Sequence, residues 1–399
     1  MDLPTPPGEK RKFAALEGWR GLCALFVATN HVGQFVPWHL GRVPVIANAY
    51  LYVDFFFVLS GFVIAHAYGK RIQSTSDIAS FAVRRFGRLW PLHAAVLGGF
   101  VAFECLNLLL KQFAGGFSGH APFTLTHTPD GLIANLVFLQ GLAPWRGARW
   151  NVPSWTISVE FWTYLVFAGT CLVSDRRRIS LRAALAVLGF LMILVGGRYM
   201  AVYAGFGLFR CICGFFLGSL IYEAFPSTRQ LALPYPSLLE GLALMLAVLL
   251  VSVAGVGALS LAAPLVFAAV VYVFSFEAGA VSRILMSKPM ARLGAWSYSI
   301  YLIHYALVLA TLIVLKESGR LLGIGYFSAI QASEGGSLPI PGNEYVTDIA
   351  VFVYLGAVIW IASITYRYIE TPWRRRFNAM AAPMAAIAMK VDALGAESD

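Results

Sequence analysis

The sequence predicts an all-α bundle of membrane-spanning helices, and three observations support that class. Apolar residues make up 59% of the chain and charged residues only 13%, a composition typical of membrane proteins. Apolar runs long enough to cross a bilayer recur along the whole length. The Lys and Arg residues cluster in the gaps between these runs, so the net charge of +10 indicates membrane orientation and not a nucleic-acid partner.

Ten spanning helices and one shorter apolar segment are predicted from the apolar runs. The segment 131–141 is too short to span, so we expect a re-entrant or interfacial helix there. The chain then divides into an N-terminal tail at 1–12, a membrane domain at 13–376 and a C-terminal tail at 377–399, which we expect to be disordered. The spans are predicted at 13–35, 49–68, 91–110, 153–173, 183–197, 205–224, 237–254, 259–276, 296–315 and 345–367.

The basic residues also predict the orientation of the chain. Most Lys and Arg residues lie in the segments that share the side of the N-terminus, including the run Arg176, Arg177 and Arg178. Segments rich in Lys and Arg stay on the cytoplasmic side. We therefore expect both termini in the cytoplasm and the protein in a bacterial inner membrane.

Two ionisable residues on one face of the first predicted helix mark a candidate site. Arg20 and His31 are separated by only about 20° of net rotation and about 16 Å along a helix axis. Glu17 lies one turn before Arg20 and can partner its charge. Ionisable residues inside a spanning helix normally face a polar cavity and have a functional role. The alternative interpretation is an Arg20 that snorkels to the helix end and a His31 whose hydrogen bonds are satisfied within the core.

Two acidic residues, Asp54 and Glu160, lie inside predicted spans at a depth close to that of His31. We predict that one of them orients the His31 ring, as the acid does in a catalytic triad. For Asp54, the alternative is a structural, hydrogen-bonded acid near the lipid headgroups. Ser158, Trp155 and His304 are predicted to contact substrate, and for His304 the alternative is a histidine satisfied within the core.

A pair of arginines at helical spacing precedes the third predicted span. Arg85 and Arg88 share a helix face, and guanidinium groups bind phosphates in a fork geometry. Together with Arg20, they can hold the diphosphate and 3′-phosphate of a coenzyme A donor; the alternative is an anchor to anionic lipid. The five cysteines and the remaining histidines lack the spacing of metal ligands or a disulfide framework, so no metal site is predicted.

Six motifs, in chain order, resemble those of a known family: Arg20-x10-His31, VDFFFVLSGF, Arg85-x-x-Arg88 followed by Pro91, PSWTISVEFW, SYSIYLIH and ETPWRR. The set resembles the acyltransferase 3 family of integral-membrane acyltransferases over nearly the whole chain. The resemblance implies transfer of an acyl group, with acetyl-CoA as the expected donor, to a hydroxyl of a carbohydrate or lipid-linked glycan. It also implies that His31 is the essential histidine, that the three arginines serve the donor, and that no cofactor is tightly bound.

The mechanism that follows is a hypothesis with stated rivals. Neutral His31 removes a proton from the acceptor hydroxyl, which attacks the thioester; such a base typically contributes about 10²–10⁴ in rate. A covalent acyl-histidine is the alternative chemistry. A transporter or flippase with an intramembrane His/Asp/Glu proton relay is the rival class, and the lack of an inverted repeat counts against it. A membrane-bound regulator or polymer-export partner without chemistry is the third interpretation.

Overall fold

A computed structural model describes residues 13–36, 38–114, 121–142, 150–203, 205–228, 233–322 and 344–382. Helices and short turns fill these ranges, which contain no strand, so the predicted all-α class is confirmed. The predicted tail at 1–12 and most of the predicted tail at 377–399 lie outside them. The helices are α1 Ala14–Gly33, α2 Pro44–Ala47, α3 Tyr52–Tyr68, α4 Thr75–Ala114, α5 Pro129–Leu136, α6 Trp155–Cys171, α7 Asp175–Val195, α8 Gly207–Thr228, α9 Pro236–Ala254, α10 Ala263–Phe274, α11 Ala280–Leu285, α12 Lys288–Leu322 and α13 Glu344–Thr365.

Seven helices in the described ranges are long and apolar enough to cross a membrane, and each corresponds to one of the ten predicted spans. The remaining three predictions correspond to α1, which carries Glu17 and Arg20, and to the shorter helices α6 and α10. The chain is an integral membrane protein. The seven spanning segments are Ala49–Tyr68, Thr75–Lys111, Asp175–Val195, Gly207–Phe225, Pro236–Ala254, Lys288–Leu315 and Thr347–Ala382.

Arg85 and Arg88 lie within the same helix as the third predicted span, which was expected to begin only after them, at residue 91. α4 is a single helix of 40 residues that begins at Thr75 and continues through Pro91. Its start is fixed by Asp77, whose carboxylate accepts hydrogen bonds from the backbone nitrogens of Gln73 and Ser74 at 3.0 Å each. Hydropathy marks where a helix leaves the apolar layer, but the helix itself extends beyond that point.

The short segment predicted at 131–141 does not cross the bundle. α5 has only 8 residues, about 12 Å of helix, far less than the hydrocarbon core requires. The chain then turns at Phe138, which has a left-handed φ of 58°. The Phe138 carbonyl accepts hydrogen bonds from the Trp162 indole at 2.8 Å and the Ser158 hydroxyl at 2.5 Å, so side chains of α6 fix this turn.

Helices α1 and α12 pack closely and run parallel. Gly21 of α1 faces Gly294 of α12 so tightly that a Cβ at Gly21 would lie 2.7 Å from the Gly294 nitrogen. Ten residues further along each helix, His31 faces His304. The close approach at the glycines therefore sets the separation of the two histidines.

The C-terminal helix continues beyond the boundary predicted at 376. After α13 the chain forms a π-helical turn, Tyr366–Glu370, and then remains helical to Ala382. This extension packs on α4: the Ser80 hydroxyl donates a hydrogen bond to the Ala381 carbonyl at 2.9 Å. Residues 377–382 therefore belong to the packed bundle.

Candidate active site

A second histidine contacts the His31 ring, and the Tyr305 ring packs edge-on against it with centroids 5.7 Å apart. His31 Nδ1 lies 3.2 Å from Nε2 of His304, and the ring centroids are 4.9 Å apart. His31 Nδ1 also lies 3.0 Å from the Val27 carbonyl oxygen, while His304 Nδ1 lies 3.2 Å from that of Ile300. His304 is fully buried, so it belongs to the wall that holds His31.

These contacts determine which ring nitrogens carry protons. A carbonyl oxygen only accepts hydrogen bonds, so Nδ1 of each histidine carries the hydrogen and donates it. Nε2 of neutral His304 is then an acceptor, so the single Nδ1 hydrogen of His31 is shared between the Val27 carbonyl oxygen and His304 Nε2. His31 Nε2 is left with a free lone pair and forms no hydrogen bond to the described residues. That nitrogen is the basic atom of the site.

His31 lines a cavity of about 510 Å³, which we call the histidine cavity. It opens at the end of α1 that is distant from Arg20. Aliphatic side chains, aromatic rings and amide side chains form its wall, together with one arginine. Its other lining residues include Asn30, Gln34, Tyr50, Gln140, Trp155, Tyr203 and Arg210. Trp155, a predicted substrate contact, therefore lines the same cavity as His31.

Asp54 pairs with an arginine and not with His31. The Arg210 guanidinium donates two hydrogen bonds to the Asp54 carboxylate, at 2.9 Å from Nε and 2.7 Å from Nη2. Both side chains are buried, with exposures of 0% for Asp54 and 3% for Arg210. The structure therefore matches the alternative reading of Asp54, a hydrogen-bonded structural acid, and the prediction that it orients the His31 ring is wrong.

A second cavity, of about 160 Å³, brings together the three predicted arginines. Arg20 of α1 and Arg85 and Arg88 of α4 all line it, and we call it the basic cavity. Arg20 forms a salt bridge with Glu17 at 2.9 Å, as predicted from their spacing. Arg85 donates to the Tyr68 hydroxyl at 3.0 Å, and its Nε is buried with no protein partner.

Arg88 is held by an acid that the sequence analysis did not single out. Arg88 Nη1 donates a hydrogen bond to Glu370 Oε1, and the Ser299 hydroxyl binds the other carboxylate oxygen at 3.0 Å. Glu370 is buried and ends the π-helical turn; such turns are frequent at functional sites. The motif ETPWRR begins with this residue, which was the available signal.

Glu160 also lies away from His31, because it lines the basic cavity. Its carboxylate accepts hydrogen bonds from the hydroxyls of Ser60 and Tyr164 at 2.6 Å each. The carboxylate partners that the structure gives Glu160 are these hydroxyls and not the His31 ring, which it was predicted to orient as the alternative to Asp54.

The other predicted substrate contacts, Ser158 and His304, have structural partners. Ser158 is fully buried; its hydroxyl donates to the Phe138 carbonyl at 2.5 Å and accepts from the Gly141 nitrogen at 3.1 Å. Ser158 therefore holds the turn after α5, which carries Gln140 to the histidine cavity. In the described part of the chain, no group of three or more His, Cys, Asp or Glu side chains is close enough to hold a metal ion.

The two cavities adjoin each other inside the bundle. Val53 of α3 and Tyr301 of α12 line both of them. These two side chains therefore form the boundary between the arginines of one cavity and the histidine of the other.

Fold and site together define a membrane-embedded protein in which a cavity lined by three arginines adjoins one lined by His31. The chain belongs to the acyltransferase 3 family: the sequence model of that family, described as an acyltransferase domain, matches residues 13–367. The resemblance inferred from the six motifs is thereby confirmed.

Three relatives show how the similarity is distributed. Protein 2 in the picA locus of Rhizobium radiobacter is 45% identical over 107 residues, 26% of this chain and 51% of the relative. The acyltransferase MdmB of Streptomyces mycarofaciens is 29% identical over 165 residues, 39% of this chain and 38% of the relative. The exopolysaccharide production protein ExoZ of Rhizobium meliloti (strain 1021) is 29% identical over 284 residues, 68% and 80% of the two chains.

The match spans about half the length of the first of these relatives and less of the second. No solved structure matches the chain.

Proposed function

We propose that this protein is an O-acyltransferase that moves an acyl group, acetyl in the first instance, from acyl-CoA to a hydroxyl of a carbohydrate. The observation that carries the proposal is the free Nε2 of His31, directed by His304 and located in a cavity that adjoins the three arginines. A base next to an anion-binding cavity suits transfer from a phosphate-bearing donor. The family and the names of two relatives support the same reaction class.

The basic cavity is the proposed site of the donor. Coenzyme A carries a diphosphate and a 3′-phosphate, and guanidinium groups bind such anions through two parallel N–H donors. Arg20, Arg85 and Arg88 supply these donors from two helices. The buried Arg85 Nε has no protein partner, so the site has unused capacity to donate. Acyl-CoA acts here as a substrate and not as a tightly bound cofactor.

The histidine cavity is the proposed site of the acceptor. Sugars present many hydroxyls and an apolar ring face, which match the amide side chains and aromatic rings of its wall. The relative ExoZ is named for exopolysaccharide production. We therefore infer that the acceptor is a carbohydrate such as a surface polysaccharide or its lipid-linked precursor.

The proposed chemistry needs one base and one acid, and His31 serves as both. His31 Nε2 takes the proton of the acceptor hydroxyl, and the oxygen attacks the thioester carbonyl carbon. The tetrahedral intermediate collapses with cleavage of the carbon–sulfur bond. The departing sulfur takes the proton from the imidazolium, so the products are an O-acyl ester and free coenzyme A. His304 Nε2 accepts the Nδ1 hydrogen throughout and holds the ring in place.

The proposed orientation places the basic cavity toward the cytoplasm, where acyl-CoA is made. The Lys and Arg bias of the sequence supports cytoplasmic termini and a bacterial inner membrane. The histidine cavity then faces the opposite side of the membrane, where surface glycans are assembled.

One assay separates this proposal from a transporter. Membranes that contain the protein are incubated with acetyl-CoA labelled in the acetyl group and with extracted glycans. We expect label in the glycan fraction, and none in membranes that lack the protein. Proton-coupled uptake of cargo without label transfer would instead support a transporter.

A further inference from the structure

Two side chains form the boundary that the two cavities share. Val53 and Tyr301 line both cavities, and both are largely buried, with exposures of 6% and 8%. Because these are the residues common to both linings, an acyl group that moves from the basic cavity to the histidine cavity meets them at the shared boundary. The inference drawn here rests on the proposed function, because it concerns the group that is transferred.

Tyr301 is held rigidly at this position. Its hydroxyl binds the Thr156 hydroxyl at 3.1 Å and the Pro153 carbonyl at 3.3 Å. Its ring packs edge-on against Phe56, with centroids 5.8 Å apart, and against His304 at 5.9 Å. A ring fixed at both its hydroxyl and its faces does not rotate aside without breaking these contacts.

Val53 is fixed by its neighbour in sequence. It precedes Asp54, whose carboxylate forms two hydrogen bonds with the buried Arg210 guanidinium. This pair ties the first turns of α3 and α8 together. The valine side chain has a stiff χ1, so the opposite side of the shared boundary is also preorganised.

We propose that Val53 and Tyr301 form a constriction that sets the length of the acyl group that reaches His31. An acetyl group has one methyl beyond the carbonyl carbon and fits between two fixed side chains. Each further methylene needs space that Tyr301 and Val53 occupy. Because packed side chains resist displacement, longer acyl chains are held back from the base although the same arginines bind their coenzyme A portion.

The test compares acyl-CoA donors of increasing length on purified protein. The measured quantity is the ratio of kcat/KM for butyryl-CoA to that for acetyl-CoA. Val53→Ala removes two methyl groups from the constriction, and Tyr301→Leu removes an aromatic ring. Single methylenes in an apolar pocket discriminate by about 10–200-fold, so we expect each variant to raise the ratio by about tenfold or more. Val53→Leu narrows the constriction and should lower the ratio of kcat/KM for butyryl-CoA to that for acetyl-CoA.

Val58→Ala is the matched control, because Val58 lies on the same helix and lines neither cavity. It should leave the ratio as in the unmodified protein. An unchanged ratio in Val53→Ala and Tyr301→Leu, with acetyl transfer still measurable, would overturn the constriction and leave the proposed function standing. If the unmodified protein transfers no acyl group from any of these donors, both proposals fail.

Discussion

His304 Nε2 lies 3.2 Å from His31 Nδ1, so the ring that serves as base in the proposed reaction is oriented by another imidazole. A neutral acceptor directs the hydrogen of His31 without adding a negative charge beside it. When His31 becomes protonated, the contact persists, because both Nδ1 and Nε2 of the imidazolium carry hydrogens. The pair thus fixes the tautomer before the reaction and supports the charge during it.

Replacing His304 should reduce turnover more than substrate binding. His304→Ala removes one of the two acceptors of the His31 Nδ1 hydrogen and leaves the Val27 carbonyl. The ring is then held less firmly, and we expect kcat to fall while the KM values for donor and acceptor change little. His304→Gln retains an acceptor oxygen and should keep more of the activity than alanine does. Steady-state kinetics on purified protein give both values. Equal losses in the two variants, or a rise in KM alone, would contradict a positioning role.

The arginines of the basic cavity should contribute to donor affinity through the phosphates. A charge-assisted hydrogen bond contributes about 1.5–3 kcal/mol, so Arg85→Gln should raise the KM for acetyl-CoA by about tenfold or more. The effect should vanish with S-acetylpantetheine, which lacks the phosphates.

Arg84→Gln provides the control for that measurement. Arg84 carries the same charge on the same helix but is not part of the basic cavity lining. The KM of the Arg84→Gln variant for acetyl-CoA should stay close to that of the unmodified protein. Equal effects at Arg84 and Arg85 would show a general influence of surface charge and contradict the assignment of the donor site.

The buried pair of Asp54 and Arg210 should be required for stability. Removing one partner of a buried ion pair costs about 3–5 kcal/mol, because the other charge is left uncompensated. Asp54→Asn should therefore lower the Tm of the detergent-solubilised protein markedly. The double variant Asp54→Leu with Arg210→Met should recover most of that loss. An unchanged Tm in Asp54→Asn with lost activity would point instead to a chemical role for Asp54.

We predict that Ser158 stabilises the turn after α5 and does not contribute to substrate binding. Ser158→Ala leaves the Gly141 nitrogen without its acceptor, whereas the Phe138 carbonyl keeps the Trp162 indole. We expect a loss of about 1 kcal/mol in stability, seen as a small decrease in Tm, with the donor KM unchanged. A changed acceptor KM at an unchanged Tm would restore the prediction of a substrate contact.

The sequence predicted those features that depend on local geometry. Arg20 and His31 share a face of α1 because helical periodicity alone places them there. Arg85 and Arg88 share a cavity for the same reason. The apolar runs located the helices, but the start of α4 at Thr75 was missed, because a helix can continue into water where hydropathy no longer marks it.

The features that the sequence analysis missed are contacts between distant helices. Asp54 and Arg210 are separated by 156 residues, and Arg88 and Glu370 by 282. Periodicity within one helix says nothing about which helix lies opposite. A partial signal existed for Arg210, because an arginine inside an apolar run requires a buried partner, but Asp54, Glu160 and Glu223 were all available as that partner.

The most direct test of the proposed function is label transfer by purified His31→Ala. With acetyl-CoA and glycan supplied, we expect its rate to fall by about 10²–10⁴ relative to the unmodified protein, with an unchanged Tm. His39→Gln, which alters an exposed histidine apart from both cavities, should transfer label at the normal rate. A His31→Ala protein that acetylates glycan as fast as the unmodified protein would contradict the central claim.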